Sequence, residues 1–271
     1  MIERTEALAL RILPVSETSR MATWLSPDGG LLVTLMKGAC RPKSPFLGQA
    51  EVADTSELLY YARDRNGVHI ARECARLTRR SDVWPSWREY VAAEYVCWWL
   101  LKTGVAGRCH DGVYRLAQDA LDHASRHRAG IEFAWQWELR LLKALGLAPQ
   151  LDACLRCARP REPFAERRSV VWRFSSSSGG ILCETCAGRE GDSVPADLAV
   201  VSPDALVLLR QWLHARSAAS ASRARCLPAQ RATVNRLLSA FLACHAETDP
   251  VQRRRTLASL ASEPAALTER I

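Results

Sequence analysis

The sequence predicts an α+β protein of several domains: an N-terminal β-barrel, then a C-terminal α-helical domain with an inserted four-cysteine module. Three observations support this fold class. Short apolar stretches separated by turn residues fill positions 7–75, the apolar period becomes helical after residue 86, and four of the ten cysteines form two C-x-x-C pairs. With 271 residues and 48% hydrophobic content, the chain is long enough to bury such cores.

Five candidate strands occupy the first part of the chain. Three lie at 7–12, 21–25 and 31–36, and the sequence SPDGG predicts a tight turn between the second and third. Two more follow at 57–63 and 68–74, where the intervening Asn-Gly pair favours a hairpin. Five short strands in about seventy residues predict a small barrel of the OB type, with a small sandwich as the alternative topology.

Two helices are predicted before the cysteine module. Ser86 and Glu89 have the spacing of a capping box, and the helix that they begin is expected to end at Gly104. The second helix follows at 131–145 and stops at Gly146. Its apolar residues recur at helical spacing and predict one buried stripe, formed by Phe133, Ala134, Trp137, Leu141, Leu142 and Leu145.

Two further helices are predicted after the module. Ser202 suits an N-cap and Pro203 the first helical position of one, and the other covers 232–245. The small, polar and basic stretch 215–230 between them predicts a loop or frayed linker, and the last twenty residues predict a helix with a loose tail. We therefore expect four segments: an OB-fold domain at 1–80, helical parts at 81–150 and 191–271, and the cysteine module at 151–190.

The paired cysteines have the spacing of a metal site. Cys154 with Cys157 and Cys183 with Cys186 form two knuckles separated by 25 residues, and four thiolates match a structural tetrahedral Zn²⁺ site. A redox motif, disulfides and an iron–sulfur cluster are the less favoured alternatives. Four cysteines leave no open coordination position, so the predicted cofactor is one structural zinc ion. The other six cysteines are expected to be buried small hydrophobic residues: Cys40, Cys74, Cys97, Cys109, Cys226 and Cys244.

Charge and missing motifs narrow the function. The chain has 37 Lys and Arg against 29 Asp and Glu, a formal net charge of +8, which favours a polyanionic partner. No phosphate-binding loop, H-E-x-x-H or G-x-S-x-G motif is present, so we expect no enzyme activity. A second metal site at His110 and Asp111 or at His123 and His127 is less favoured than a solvated helix face. No apolar run of 18 residues or signal peptide is found, which predicts a cytoplasmic protein without a membrane span.

Three segments, in the same order along the chain, resemble the RecO family. They are ALALRILPVSETSRMATWLSPDGGLLVTLMKGACRPKS, WELRLLKALGLAPQLDACLRC and GGILCETCA. The resemblance implies an OB domain that binds single-stranded DNA, a helical domain and an embedded zinc module. It also implies a non-catalytic DNA repair protein of the nucleoid that anneals complementary strands. With RecR, and with RecF in some pathways, such a protein helps to load RecA onto DNA coated by single-stranded-DNA-binding protein.

The resemblance also implies a DNA-binding site. Lys37, Arg41 and Lys43 match positions where the family presents basic groups to DNA, and Arg20 lies at the end of the S-E-T-S-R segment. Solvated loop charges are the alternative interpretation of these four residues. Two other functions remain open: a zinc-stabilised protein-interaction adaptor with incidental DNA binding, and an RNA-binding or nucleic-acid-modifying enzyme.

Overall fold

Five strands at the N-terminus close into a barrel. The structure is a computed structural model and describes residues 1–28, 30–62, 67–103, 111–161, 171–188, 195, 197–246 and 249–262. The strands are β1 (Ile2–Pro14), β2 (Arg20–Ser26), β3 (Gly30–Met36), β4 (Thr55–Tyr61) and β5 (Val68–Arg76).

The strand order identifies the barrel as the OB type. The order is β1-β2-β3-β5-β4, β1 pairs antiparallel with both β2 and β4, and β3 and β5 run parallel. This confirms the predicted barrel, and the sandwich alternative is wrong because the strands form one closed sheet. The Asn66 part of the predicted hairpin turn lies outside the described residues, although β4 and β5 do pair antiparallel.

The two faces of β1 have different partners. Ala7 and Ala9 point into the barrel, where the Trp24 indole N–H donates a 2.9 Å hydrogen bond to the Thr34 hydroxyl. Leu8 lies on the opposite face and belongs to the same buried cluster as the helices. This division follows from the two-residue period of a strand, which sends successive side chains to opposite faces. The barrel therefore rests on the helical domain through its outer surface.

Three helices follow the barrel: α1 (Trp87–Lys102), α2 (Asp111–Arg126) and α3 (Ile131–Ala144). Ser86 caps α1 as predicted, since its hydroxyl accepts the backbone N–H of Arg88 at 3.3 Å. Glu89 departs from the capping-box pattern, because its carboxylate accepts the Ser86 hydroxyl and the Ala129 backbone N–H instead. Gly104, the predicted end of α1, lies outside the described residues. The helix α2 was not predicted from the sequence.

The helix α3 runs through the centre of the helical domain. Every residue from 133 to 142 is buried, so the predicted stripe is buried as expected except at the half-buried Leu145, but burial is not confined to that one face. The buried Glu138 is satisfied, since its carboxylate accepts from Arg253 at 2.7 and 2.9 Å and also from the Tyr95 hydroxyl. Arg140 Nε, in contrast, is buried without a hydrogen-bond partner among the described residues. Gly146, with φ +76°, ends the helix as predicted.

The cysteine module is a small sheet with one helical turn. It contains β6 (Trp172–Ser175), β7 (Gly180–Cys183) and α4 (Glu184–Ala187), which confirms the predicted strand and turn before the second knuckle. The sequence did not indicate β8 (Leu198–Val201), which pairs antiparallel with β6 and gives the order β7-β6-β8.

The remaining helices complete the domain. They are α5 (Pro203–Leu213), α6 (Ala218–Ala221), α7 (Pro228–His245) and α8 (Pro250–Ala261). Ser202 caps α5 as predicted. The predicted loop or frayed linker at 215–230 is wrong in part, because Ser217 and Ser220 form a capping box that begins α6.

Buried polar side chains join the barrel to the helices. Arg80, 5% exposed, binds the carboxylate of Asp122 and the amide oxygen of Gln118 on α2. Arg76 at the end of β5 pairs at 2.6 Å with Asp54, which is fully buried. Arg80 also donates to the Ala53 carbonyl and the Thr55 hydroxyl, so it fixes the barrel against α2, whereas the Asp54–Arg76 pair holds the end of β5 to the residue before β4 within the barrel domain.

Two predicted cysteine environments are corrected. Cys74, Cys97 and Cys226 are buried as expected, but Cys40 and Cys244 are exposed. Cys40 lies in the loop after β3, where a basic loop and not an apolar run surrounds it. Cys109 lies outside the described residues. Within the described ranges, no helix has the length and apolar content that a membrane crossing requires.

Candidate metal centre and nucleic-acid interface

The four paired cysteines converge on one point. Cys154 and Cys157 come from the turn after α3, Cys183 ends β7, and Cys186 lies in α4. Their Sγ atoms all lie within 4.8 Å of one another. The four cysteines that the sequence spacing predicts as one metal site therefore do lie together in the structure.

The sulfur geometry fits a tetrahedral metal ion. The Sγ atoms of Cys157 and Cys183 are 3.7 Å apart. Four sulfurs at about 2.3 Å from a central zinc ion are separated by about 3.8 Å along each tetrahedral edge. A disulfide requires about 2.05 Å, so this pair is placed for a shared cation and not for a covalent bond.

The local electrostatics favour thiolate at one ligand. Burial raises the pKa of Cys154, but backbone N–H groups of Cys157, Cys183 and Arg156 outweigh it and lower that pKa to about 6. Hydrogen bonding to the Cys157 thiol and the other sulfurs raises the pKa of Cys186 to about 12. Adding negative charges to the cluster is therefore unfavourable without a cation, which is the chemistry of a divalent metal site.

Main-chain contacts hold the two knuckles together. The Gln150 carbonyl accepts the Ile181 N–H at 3.0 Å, and the Leu155 N–H donates to the Ile181 carbonyl at 2.9 Å. At Gly180 the two backbone segments are so close that an added Cβ atom would lie 2.6 Å from the Gln150 carbonyl oxygen. The first knuckle therefore docks against β7, which carries the second.

A groove lies at one end of the barrel, between the loop after β1 and the loop after β3. The Ser19 hydroxyl accepts the Gly38 N–H at 3.2 Å, and the Cys40 N–H donates to the Thr18 carbonyl at 3.0 Å. The volume of this open groove is about 420 Å³. Lys37 and Arg41 line this groove.

The four predicted DNA-binding residues lie on β2 and on the loop after β3, but they have different environments. Lys37 and Arg41 are exposed and share the groove, and Lys43 is exposed farther along the same loop. Arg20 begins β2 and donates from Nε to the Cys40 sulfur at 3.1 Å. Sequence reasoning did not select the groove's hydroxyl groups, although the quoted S-E-T-S-R segment contains them: Ser16, Thr18 and Ser19.

The predicted histidine alternatives have different outcomes. His123 and His127 lie with ring centroids 4.6 Å apart, but His123 is half-buried and stacks on Phe133, so the pair is not a simple solvated face. His110 and the side chain of Asp111 lie outside the described residues. Among the residues described, one cluster contains three or more side chains that could bind a metal ion together, and it is the four-cysteine cluster.

The closed OB barrel, the helical domain and the four-thiol centre together define a class of OB-fold protein with a metal-site module in its helical part. Comparison with known families names that class. The family model described as recombination protein O N terminal matches residues 1–77, and the one described as recombination protein O C terminal matches residues 86–255. The chain belongs to the RecO family of DNA repair proteins.

Individual relatives agree along most of the chain. A protein named DNA repair protein RecO from Roseiflexus sp. (strain RS-1) is 32% identical over 254 residues, covering 92% of this chain and 83% of the relative. Two others of the same name, from Alkaliphilus metalliredigens and Chloroherpeton thalassium, are 23% and 22% identical. They cover 90% and 95% of this chain, and 94% and 98% of their own lengths.

Proposed function

We propose that this chain is a non-catalytic recombination mediator that binds single- and double-stranded DNA and anneals complementary strands. Together with RecR and RecF, it would help to load RecA onto DNA coated by single-stranded-DNA-binding protein. The observation that carries the proposal is the groove at the end of the OB barrel, which Lys37 and Arg41 line with exposed side chains. A cytoplasmic location at the nucleoid follows from this proposal.

The groove suits a phosphate backbone. Its cations come from the strand end and the following loop, where long side chains can reach phosphates beside the barrel face. The hydroxyls of Ser16 and Thr18 add donors that can bind phosphate oxygens without reading base sequence. Binding of this kind is expected to depend strongly on salt and weakly on base sequence.

Charge reversal tests the groove. Lys37→Glu, Arg41→Glu and Lys43→Glu in one variant should abolish most oligonucleotide binding and strand annealing at moderate salt. A matched control carries the same charge change at exposed helical positions, in Lys102→Glu, Arg254→Glu and Arg255→Glu. Equal losses in both variants would show that net charge and not the groove controls binding.

A milder variant tests the contact itself. Lys37→Ala should reduce the slope of log affinity against log salt by about 0.7, the value for one lost phosphate contact on single-stranded DNA. The slope is measured by fluorescence anisotropy with a labelled oligothymidine at several salt concentrations. An unchanged slope removes Lys37 from the interface.

We propose that the four cysteines hold one structural zinc ion. The sulfur separation supports a tetrahedral ion, and four protein ligands leave no position open for catalysis. Elemental analysis should find one zinc ion per chain. Cys154→Ser should lose the metal and destabilise the module, while oligonucleotide binding by the barrel remains; metal-free protein with unchanged stability contradicts this role.

The partner proposal needs a separate experiment. Complementary strands coated with single-stranded-DNA-binding protein are mixed with this chain, with and without RecR, and annealing and RecA filament formation are followed. Annealing by this chain, together with RecA loading that requires RecR, supports the mediator. Capture of RecR without oligonucleotide binding supports the adaptor interpretation instead.

A further inference from the structure

A second basic cavity lies in the helical domain, away from the groove of the barrel. It has a volume of about 780 Å³, within the usual range for ligand sites. Its walls come from the first turn of α1, the end of α2, the start of α3, the stretch from α6 to the start of α7, and the end of α8. Neither the family comparisons nor the proposed groove assigns it a role.

Arg88 is the central observation in this cavity. The residue is 6% exposed, and its Nε and Nη2 atoms are buried without a hydrogen-bond partner in the described part of the chain. Its guanidinium lies 5.8 Å from the centre of the Trp87 ring, a contact that satisfies no N–H donor. A buried cation without a counter-charge is strongly unfavourable, so an anion at this position would compensate it.

The surrounding charges have the same sign. Beside Arg88, four more arginines line the cavity, whereas among its described lining residues Glu132 is the one carboxylate, and it pairs with Arg231 at 3.5 Å. Arg128, Arg223 and Arg225 are exposed at the opening. Arginine presents a planar fork of donors that suits the oxygens of an anion.

A helix N-terminus adds backbone donors. Residues 129–131 line the cavity at the start of α3, and the N-cap Gly130 has no side chain to satisfy the first N–H groups. The Ala129 N–H donates to the Glu89 carboxylate and the Phe133 N–H to the Gly130 carbonyl, so the N–H groups of Ile131 and Glu132 are the ones that, with the helix dipole, favour an anion there. Side-chain donors on α1 and near α6 thus face backbone donors on α3.

We propose that this cavity binds a phosphate-bearing ligand, with Arg88 donating to the phosphate oxygens. Donors approach from several elements and directions, which fits a tetrahedral phosphate or a diphosphate better than a planar carboxylate. The ligand is either a free polyphosphate or a phosphate of a nucleic-acid backbone, since both present the same group. The proposal goes beyond the strand-binding groove and does not depend on it.

Titration with pyrophosphate tests the site on the full-length, metal-loaded chain. Isothermal titration calorimetry is performed at constant ionic strength, with sodium chloride replaced by pyrophosphate. We expect saturable binding of one pyrophosphate per chain, weakened about tenfold or more by Arg88→Gln, because each charge-assisted hydrogen bond to an anion contributes that order of affinity. The control Lys37→Gln with Arg41→Gln should bind pyrophosphate like the unmodified protein.

A second variant guards against misfolding of the buried substitution. Arg223→Gln with Arg225→Gln changes two exposed side chains and should also weaken pyrophosphate binding, while thermal unfolding without ligand is unchanged. Absence of saturable binding by the unmodified chain overturns the proposal. The proposal is also overturned if the Arg88 variant and the Arg223, Arg225 variant bind pyrophosphate as tightly as the unmodified chain does. Tighter binding of a penta-aspartate peptide than of pyrophosphate would overturn it as well.

Two further arms distinguish the source of the phosphate. Competition by a short oligothymidine in the Lys37→Gln, Arg41→Gln background indicates a nucleic-acid backbone, and competition by a nucleoside diphosphate alone indicates a free polyphosphate. Strand annealing is measured on the same proteins. Loss of annealing in the groove variant with pyrophosphate binding retained separates this cavity from the proposed function.

Discussion

Ala158, directly after the first knuckle, has φ +55°, in the left-handed region that side chains other than glycine rarely adopt. Its N–H donates to the Cys154 carbonyl at 3.0 Å, so the turn that places the sulfurs requires this conformation. Replacement by glycine removes the steric strain of the Cβ atom, although it makes the unfolded chain more flexible.

We expect Ala158→Gly to increase the free energy of unfolding by about 0.5–1 kcal/mol, because the strain removed exceeds the added entropy of the unfolded chain. The measurement is urea denaturation of the metal-loaded protein, followed by tryptophan fluorescence. Ala219→Gly in the short helix α6 is the control and should be destabilising, since glycine disfavours a helix. A lower stability for Ala158→Gly would show that the turn is not strained.

His123 predicts a pH dependence of stability. Burial, with repulsion from His127 and Arg140, lowers the pKa of His123 below 6.5, although Asp119 opposes the shift. Between pH 6.5 and the lowered value, the unfolded chain binds a proton that the folded chain does not, so stability falls as pH decreases. His123→Gln should lose less stability than the unmodified chain between about pH 7.5 and 5.5, measured by thermal unfolding in phosphate-free buffer. Parallel losses contradict the shift.

At the scale of the elements, the close approach of β7 to the first knuckle gives a sharp test. In Gly180→Ala the new Cβ atom would lie 2.6 Å from a backbone oxygen, so the chains must separate. We expect destabilisation of about 1–3 kcal/mol, the range for overpacking, and faster loss of metal to a chelator. Thermal unfolding and chelator kinetics measure the two effects.

Gly112 provides the opposite control. It lies in α2, and a methyl group added at its Cα would meet no atom within 4 Å apart from its chain neighbours and the backbone of its own helix, so Gly112→Ala should stabilise the helix by up to about 1 kcal/mol. If both glycine variants retain metal and stability equally, the docking of the first knuckle against β7 is not important for the module.

Elements with local signals were predictable from the sequence. Ser202 and Pro203 begin α5, and Gly146 ends α3. The alternating residues of β2 and β3 form paired strands of the barrel. These features were predictable because caps, turns and periodicity act within a few residues. The strand β8 has no such signal, since its four residues become a strand only by pairing with β6. The burial of α3 on all sides between residues 133 and 142 likewise depends on helices distant in sequence.

The sites differ in the same way. Cys154, Cys157, Cys183 and Cys186 were identified from spacing, because thiol chemistry and the x-x spacer are visible in the sequence. The cavity around Arg88 was not, since its arginines resemble ordinary surface charges until the helices bring them together. Residue type reveals ligands, but only packing reveals that a buried guanidinium lacks a partner.

Across the whole molecule, the buried pair of Asp54 and Arg76 stabilises the barrel at the point where the chain leaves it for the helices. Asp54→Ala leaves the Arg76 guanidinium buried with only the half-exposed Asp82 as its carboxylate partner, which should cost about 3 kcal/mol. Glu57→Ala removes an exposed pair with Arg4 and should change stability by less than about 1 kcal/mol. Urea denaturation compares the two, and similar effects would contradict a structural role for the buried pair.

The pair formed by Glu138 and Arg253 has a consequence for biosynthesis. The carboxylate leaves the ribosome 115 residues before its partner. At about 5–20 residues per second of synthesis, the interval is roughly 6–23 s. During this interval the Glu138 carboxylate of α3 has no Arg253 to neutralise it, so it cannot yet be buried in the core. All strands of the barrel have been synthesised once the chain reaches Arg76. The helical domain, in contrast, cannot complete its core until α8 has been synthesised. A nascent chain halted before α8 would therefore expose its unfinished core to chaperones and proteases.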